Sequence, residues 1–144
     1  MYTVLEANHE DIIKRIIQLR VDVLRKPWNQ PAETATDALE QSTINAYIED
    51  QGKIVACGRL QDNGGGVGQV RFMAVDPAYQ GKGLGNLIMQ FLEKRALDLK
   101  LDTIELQARE NAVSFYERNG YTIREKTFLL WGIIQHYLMV KKIH

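Results

Sequence analysis

The chain has 144 residues, 45% apolar and 25% charged, with 18 basic side chains balancing 18 acidic ones. This suits one domain with a sizeable core, residues 1–144, and zero net charge removes the bulk attraction to nucleic acid or anionic membrane that a basic surface provides. One cysteine, Cys57, excludes an internal disulfide; no apolar run approaches the roughly 20 residues that span a bilayer, and without a basic-then-apolar leader a cytoplasmic location is expected.

Tyr2 to Glu6 alternates and predicts a short first strand. Asn8 is placed to cap a helix, with Asp11 three residues on. Ile12, Ile13, Ile16, Ile17, Leu19, Val23 and Leu24 then recur at helical spacing, and the helix should stop near Leu24, before Pro27. Arg25 to Asp37 carries two prolines and Trp28, which implies an irregular segment with a short helix after Pro31. The alternation of Thr43 to Glu49, the turn Asp50 to Lys53 and the run Ile54 to Gln61 make a hairpin. Cys57 lies in the apolar run of that second strand and is expected to be packed there rather than to serve as a nucleophile. Asp62 to Gly66 reads as a flexible turn, not a phosphate nest, leading into the strand Val67 to Val75. These three strands form an antiparallel meander.

That third strand runs through Asp76-Pro77 into Gln80-Gly81-Lys82-Gly83-Leu84-Gly85 and then into the clearest amphipathic segment of the chain. Leu84, Leu87, Ile88, Phe91, Leu92, Ala96 and Leu99 mark its apolar face. Strand, glycine turn and helix start is the layout of a phosphate cradle, because a helix N-terminus offers unpaired N–H groups and positive dipole, and glycines let backbone approach an anion. No Lys-Ser/Thr pair makes it a Walker A loop, and its glycine spacing does not suit a dinucleotide fingerprint. Thr103 to Gln107 follows as a strand, which implies parallel pairing and a right-handed crossover. Asn111 suits an N-cap and Gly120 a left-handed helix end, with about two helical turns between them. Strands are expected at Tyr121 to Phe128 and His136 to Val140, joined by Leu129 to Gln135. The three histidines are scattered, and no metal site is expected.

Two motifs carry a resemblance. Gln80-x-x-Gly83-x-Gly85 is similar to the acetyl-CoA pyrophosphate loop of the GCN5-related N-acetyltransferase (GNAT) family. Asn111-x-x-x-Phe115-Tyr116-x-x-x-Gly120-Tyr121 resembles a second segment of that family. The resemblance implies an α/β (α+β) fold: a mixed, mostly antiparallel sheet of about six or seven strands flanked by about four helices. It implies acetyl-CoA as co-substrate, no metal, and transfer of the acetyl group to a primary amine of a small molecule or peptide. By the same resemblance, Met73, Ala74 and Val75 belong to a bulged central strand that faces the pantetheine arm. Gln80, Gly81, Lys82, Gly83, Leu84, Gly85 and Asn86 hold the pyrophosphate. Asn111 contacts the CoA arm or merely caps a helix, and Tyr116 protonates the departing thiolate or packs in the core. The proton acceptor is open: His136 is one candidate, since its side chain titrates in the useful range, and Glu105 and Glu110 are others. The acceptor cleft would draw on Arg20, Arg25, Trp28, Arg71 and the Trp131 to His136 segment, whose arginines suit a carboxylate or phosphate. A non-catalytic acyl-CoA sensor and an interaction domain are the competing readings, and homodimerisation is open.

Overall fold

The structure, a computed structural model, describes residues 1–144. Seven strands form one sheet: β1 (Val4–Glu6), β2 (Ile44–Asp50), β3 (Lys53–Asp62), β4 (Val67–Val75), β5 (Thr103–Arg109), β6 (Thr122–Leu130) and β7 (Ile134–Lys142), in the order β1-β2-β3-β4-β5-β7-β6. Every neighbouring pair is antiparallel except β4 and β5, the pair joined by helix α2 (Leu84–Asp98). Helix α1 (Glu10–Leu24) covers one face of the sheet, and α2 covers the other with the short α3 (Val113–Arg118) beside it. Single 3-10 turns complete the helical content, including Ala32–Ala35 where a short helix after Pro31 was expected.

α1 begins one residue later than Asn8 suggested. His9 is in extended backbone, and its Nδ1 accepts the Asp11 N–H at 3.2 Å, so the imidazole supplies the cap. Glu10 and Asp11 then place negative charge at the positive end of the helix dipole. In α2 the buried residues Leu84, Ile88, Leu92 and Ala96 recur every fourth position and Met89 joins them. Leu99 does not belong to this face: it caps the helix end and is exposed. α2 presses closely on β3, because a Cβ on Gly58 would lie 2.5 Å from Met73 Sδ and 2.7 Å from Ile88 Cγ2. The last hairpin is longer than its alternation implied. Trp131 and Gly132, both at positive φ, reverse the chain, so the connection shrinks from Leu129–Gln135 to three residues, 131–133.

Two irregularities in β4 open a cleft at its C-terminal end. Cys57 pairs with Ala74 but Arg59 with Arg71, so β4 carries one extra residue between them, a bulge at Phe72 and Met73. Phe72 has φ 56, an uncommon conformation for a bulky residue. The bulge exchanges the faces of the strand: Val70 packs with α2's cluster, whereas Ala74 packs with Ile16, Leu19 and Cys57 beneath α1. The second irregularity is a split. β4 pairs with β5 only from Val67–Thr103 to Val70–Leu106, although β4 continues to Val75 and β5 to Arg109. β5 instead stays paired with β7 along its whole length, as far as Arg109 opposite His136. A wedge therefore opens between the ends of two central, parallel strands, on the side from which α2 and α3 start.

Candidate active site

The glycine turn enters α2 with its backbone exposed. Gly81 and Gly83 have φ near 80°, and a Cβ on either would meet nothing within 4 Å. Gly83 is the N-cap, no side chain caps the helix, and the first turn holds no acidic residue. The helical ladder begins with the Leu87 N–H on Gly83 O at 3.2 Å, so the N–H groups of Leu84, Gly85 and Asn86 lie ahead of it. Gly85 has a separate reason to be glycine, since its Cβ would sit 3.0 Å from the Phe115 ring. That contact lets α3 lie against the first turn of α2, and Asn119 Nδ2 donates to Asn86 Oδ1 at 2.9 Å to lock the two together. Lys82 is exposed at the tip of the turn.

Two cavities meet in the wedge. The larger, about 690 Å³, runs from this turn past Met73, Ala74, Val75, Asn111 and Phe115. The smaller, about 390 Å³, is bounded by Arg25, Arg71, Phe72, Gln107, Phe128 and His136 among others. Leu24, Met73, Arg109, Ala112 and Tyr116 line both. Tyr116 projects from α3 to this junction. Its ring is packed edge-on against Phe115 and Tyr121, at 5.0 and 6.0 Å between centroids. Burial pushes its hydroxyl pKa well above the usual value, with Arg109 pulling weakly the other way, so the group stays protonated at any working pH. The chain offers that hydroxyl no hydrogen-bond partner, and it remains available to a ligand.

His136 faces the smaller cavity from β7. Its ring stacks on Phe128 at 4.5 Å, and Nδ1 lies 3.0 Å from Ile134 O. A carbonyl oxygen can only accept, so this contact assigns the proton of the neutral ring to Nδ1 and leaves the Nε2 lone pair free. Burial lowers its pKa below the ordinary value; the Ile134 carbonyl opposes the shift and Arg109 adds to it. Glu105 and Glu110, the other candidates for proton acceptor, line neither cavity. Glu105 accepts from Asn63 and Glu110 from Tyr137, each away from the wedge.

The acceptor-side residues divide. Arg25 and Arg71 line the smaller cavity and Trp28 the larger, whereas Trp131 lines neither and stands behind Trp28 and Arg25. The two indoles approach to 6.3 Å, and Arg25 lies over Trp131 at 5.3 Å. Arg20 does not join them. It is fully buried beneath Phe72, its guanidinium committed to Glu40, Asn45 and the Ala35 carbonyl, so a ligand cannot reach it. The resemblance suggested it for the acceptor cleft, but four residues after Ile16 it shares the buried stripe of α1 with Ile16 and Leu19. Asn111 also departs from its alternative reading. Ala112 precedes α3 and no side chain caps it. Asn111 sits in the preceding 3-10 turn, exposed toward the larger cavity.

Sequence reasoning missed Arg109. Its guanidinium covers Trp28 at 4.5 Å and Trp131 at 5.8 Å, donates to Leu24 O at 3.2 Å, and lines both cavities. The signal was the alternation of β5, which continues two residues past Gln107 and puts Arg109 on the Gln107 face. Cys57 is buried as expected, and burial pushes its thiol up to about 11, which excludes it as a neutral-pH nucleophile.

A bulged and splayed strand pair thus meets an uncapped helix start on one side and a buried tyrosine at its apex. Residues 13–121 match the family model described as Acetyltransferase (GNAT) family. The chain is 35% identical over 136 residues to the Bacillus subtilis (strain 168) protein named uncharacterized N-acetyltransferase YjcF, covering 94% of this chain and 96% of that one. Its fold is shared with Escherichia coli ElaA, with a TM-score of 0.86 at 16% identity over 99% of this chain and 100% of that one. It is shared likewise with an aminoglycoside 6'-N-acetyltransferase complexed with coenzyme A, with a TM-score of 0.81 at 17% identity over 100% and 97% of the two chains. The chain belongs to the GNAT acetyltransferase family, and the N-acetyltransferase class follows from that membership.

Proposed function

We propose that the chain transfers the acetyl group of acetyl-CoA directly to the primary amine of a small molecule, with CoA in the larger cavity and the amine entering through the smaller one. The observation that carries this reading is Tyr116, on the wall common to both cavities. The larger cavity suits CoA because it ends at uncapped N–H groups and at glycines with open space where a side chain would stand. Acetyl-CoA supplies an activated thioester; everything else falls to the chain. Gln80 to Asn86 receive the pyrophosphate, Lys82 adds charge at the rim, and Asn111 and the edge of Met73, Ala74 and Val75 hold the arm. Beyond Val70 the edge of β4 has no β5 partner, and its backbone N–H groups can stabilise charge developing on the carbonyl oxygen. His136 Nε2 accepts the proton that the attacking amine must lose, and Tyr116 Oη donates to the departing sulfur.

The test follows free thiol on mixing the protein with acetyl-CoA and a panel of small amines across pH. An enzyme releases thiol; a sensor binds CoA without release. The His136 pKa is depressed, so the base is deprotonated above a point lying below 6.5, and kcat/KM should fall as pH drops through that point. His136→Gln should remove this acid limb and lower kcat at neutral pH by about 10². An unchanged profile in that variant removes His136 from the mechanism.

A further inference from the structure

Arg25, buried, and Arg109, half-buried, are positive charges without a carboxylate partner. Arg25 is 8% exposed and spends its N–H groups on Thr34 Oγ1, the Thr34 carbonyl and the Leu24 carbonyl. Arg109 donates to the same Leu24 carbonyl and otherwise lies against the two tryptophans. A third guanidinium, Arg71, reaches the same cavity, and its Asp37 partner is already held bidentately by Arg59 at 2.8 and 2.7 Å. No Asp or Glu lines the smaller cavity. Buried cations are paired as a rule, and here the chain offers these two carbonyls, a hydroxyl and indole faces but no anion.

Resting on the acetyltransferase reading above, we propose that the acceptor is a small amine that also carries an anionic group, a carboxylate or phosphate, bound by Arg25 and Arg109 with Arg71 at the cavity wall. The planar guanidinium fork suits either oxyanion and fixes its orientation, and the aromatic faces of Trp28 and Trp131 hold the two forks in place. A polyamine or other purely cationic acceptor would find no carboxylate there and three like charges. The arrangement also serves the chemistry, because the cationic wall disfavours the ammonium form of the acceptor. Independently, burial lowers the pKa of both arginines. Arg71 and Arg20 add to the effect at Arg25, and Arg25 adds to it at Arg109, which falls to about 10. A bound anion would relieve that mutual repulsion.

Matched acceptors test this: amino acids against their carboxamides, and aminoalkyl phosphates against the corresponding amino alcohols, with thiol release from acetyl-CoA as the readout. The expected result is a kcat/KM preference of about ten- to a hundredfold for the anionic member in one series, and that series identifies the anion. Arg25→Gln and Arg109→Gln should erase the preference through the acceptor KM, and Arg25→Lys should keep part of it. Because Arg25 lines only the smaller cavity, Arg25→Gln should leave the KM for acetyl-CoA within about twofold. A mere loss of folding would depress both members equally. Equal or better use of the uncharged amines, or no turnover of any anionic one, overturns the proposal. Titration of the wild type with CoA separates the two readings: CoA binding with an uncharged-amine preference sinks only the anionic acceptor, whereas absence of CoA binding sinks the acetyltransferase site itself.

Discussion

Tyr116→Phe should lower kcat by about 10² while leaving the KM for acetyl-CoA and the melting temperature nearly unchanged. The substitution removes one oxygen from a ring that packs between Phe115 and Tyr121, so the edge-on contacts survive. The chain gives that oxygen no hydrogen bond to lose. What disappears is a proton donor at the junction of two cavities, and its burial-raised pKa means that the proton is present at every working pH. A thiolate leaving without that donor is a poorer leaving group, and the loss appears in kcat because the interaction strengthens as the C–S bond breaks. Tyr116→Ala would mix this effect with a cavity in the core, which costs about 3–5 kcal/mol for an aromatic truncation, and so tests less. Unchanged turnover in Tyr116→Phe would remove the general-acid role.

Glu40→Ala should destabilise the fold by about 3–5 kcal/mol, read as a lower urea midpoint at constant slope. Glu40 is 7% exposed and accepts from both terminal nitrogens of Arg20, from Thr36 and from Asn45, with Arg59 at 3.4 Å. Burial alone would raise its pKa, but the hydrogen bonds and charges of Arg20, Thr36 and Arg59 outweigh that and keep it ionised. Removing it strands Arg20, which is fully buried and whose Nε already lacks a partner. The consequence reaches the site through Phe72. Arg20, Arg59 and Arg71 surround that ring at 4.3, 4.9 and 4.6 Å, and Phe72 is the left-handed residue of the β4 bulge. The network thus helps hold a backbone conformation that costs of order 1–3 kcal/mol. An exposed control such as Glu117→Ala should stay within about 0.5 kcal/mol, and a comparable loss in both variants would contradict the network's role.

Periodicity and turn chemistry made most of the fold legible. The β2–β3 hairpin, α2 and the parallel crossover follow from alternation, from four-residue apolar spacing and from the glycines that must adopt positive φ. Two short motifs, placed one helix and one strand apart, made the carrier side of the site legible as a resemblance. The acceptor side was not legible, for physical reasons. Arg20 and Arg25 look alike in sequence, yet one points into the core and the other lines a cavity, and only the packing of residues 32–45 beneath the sheet separates them. Asp37 and Glu40, which organise that buried network, lie in 3-10 and turn segments where no period announces burial. Arg109 was hidden by a strand end read two residues short. Asn111 looked like a cap because Asn before a short helix usually is one; the intervening 3-10 turn frees it.

A crystal structure of the chain with CoA tests the central claim most directly, because it locates the sulfur. The expected result is the pyrophosphate on the N–H groups of the Gln80 to Asn86 turn, the arm along Met73 to Val75, and the sulfur within about 3.5 Å of Tyr116 Oη. CoA lodged elsewhere, or a sulfur directed away from Tyr116 and the smaller cavity, would contradict it.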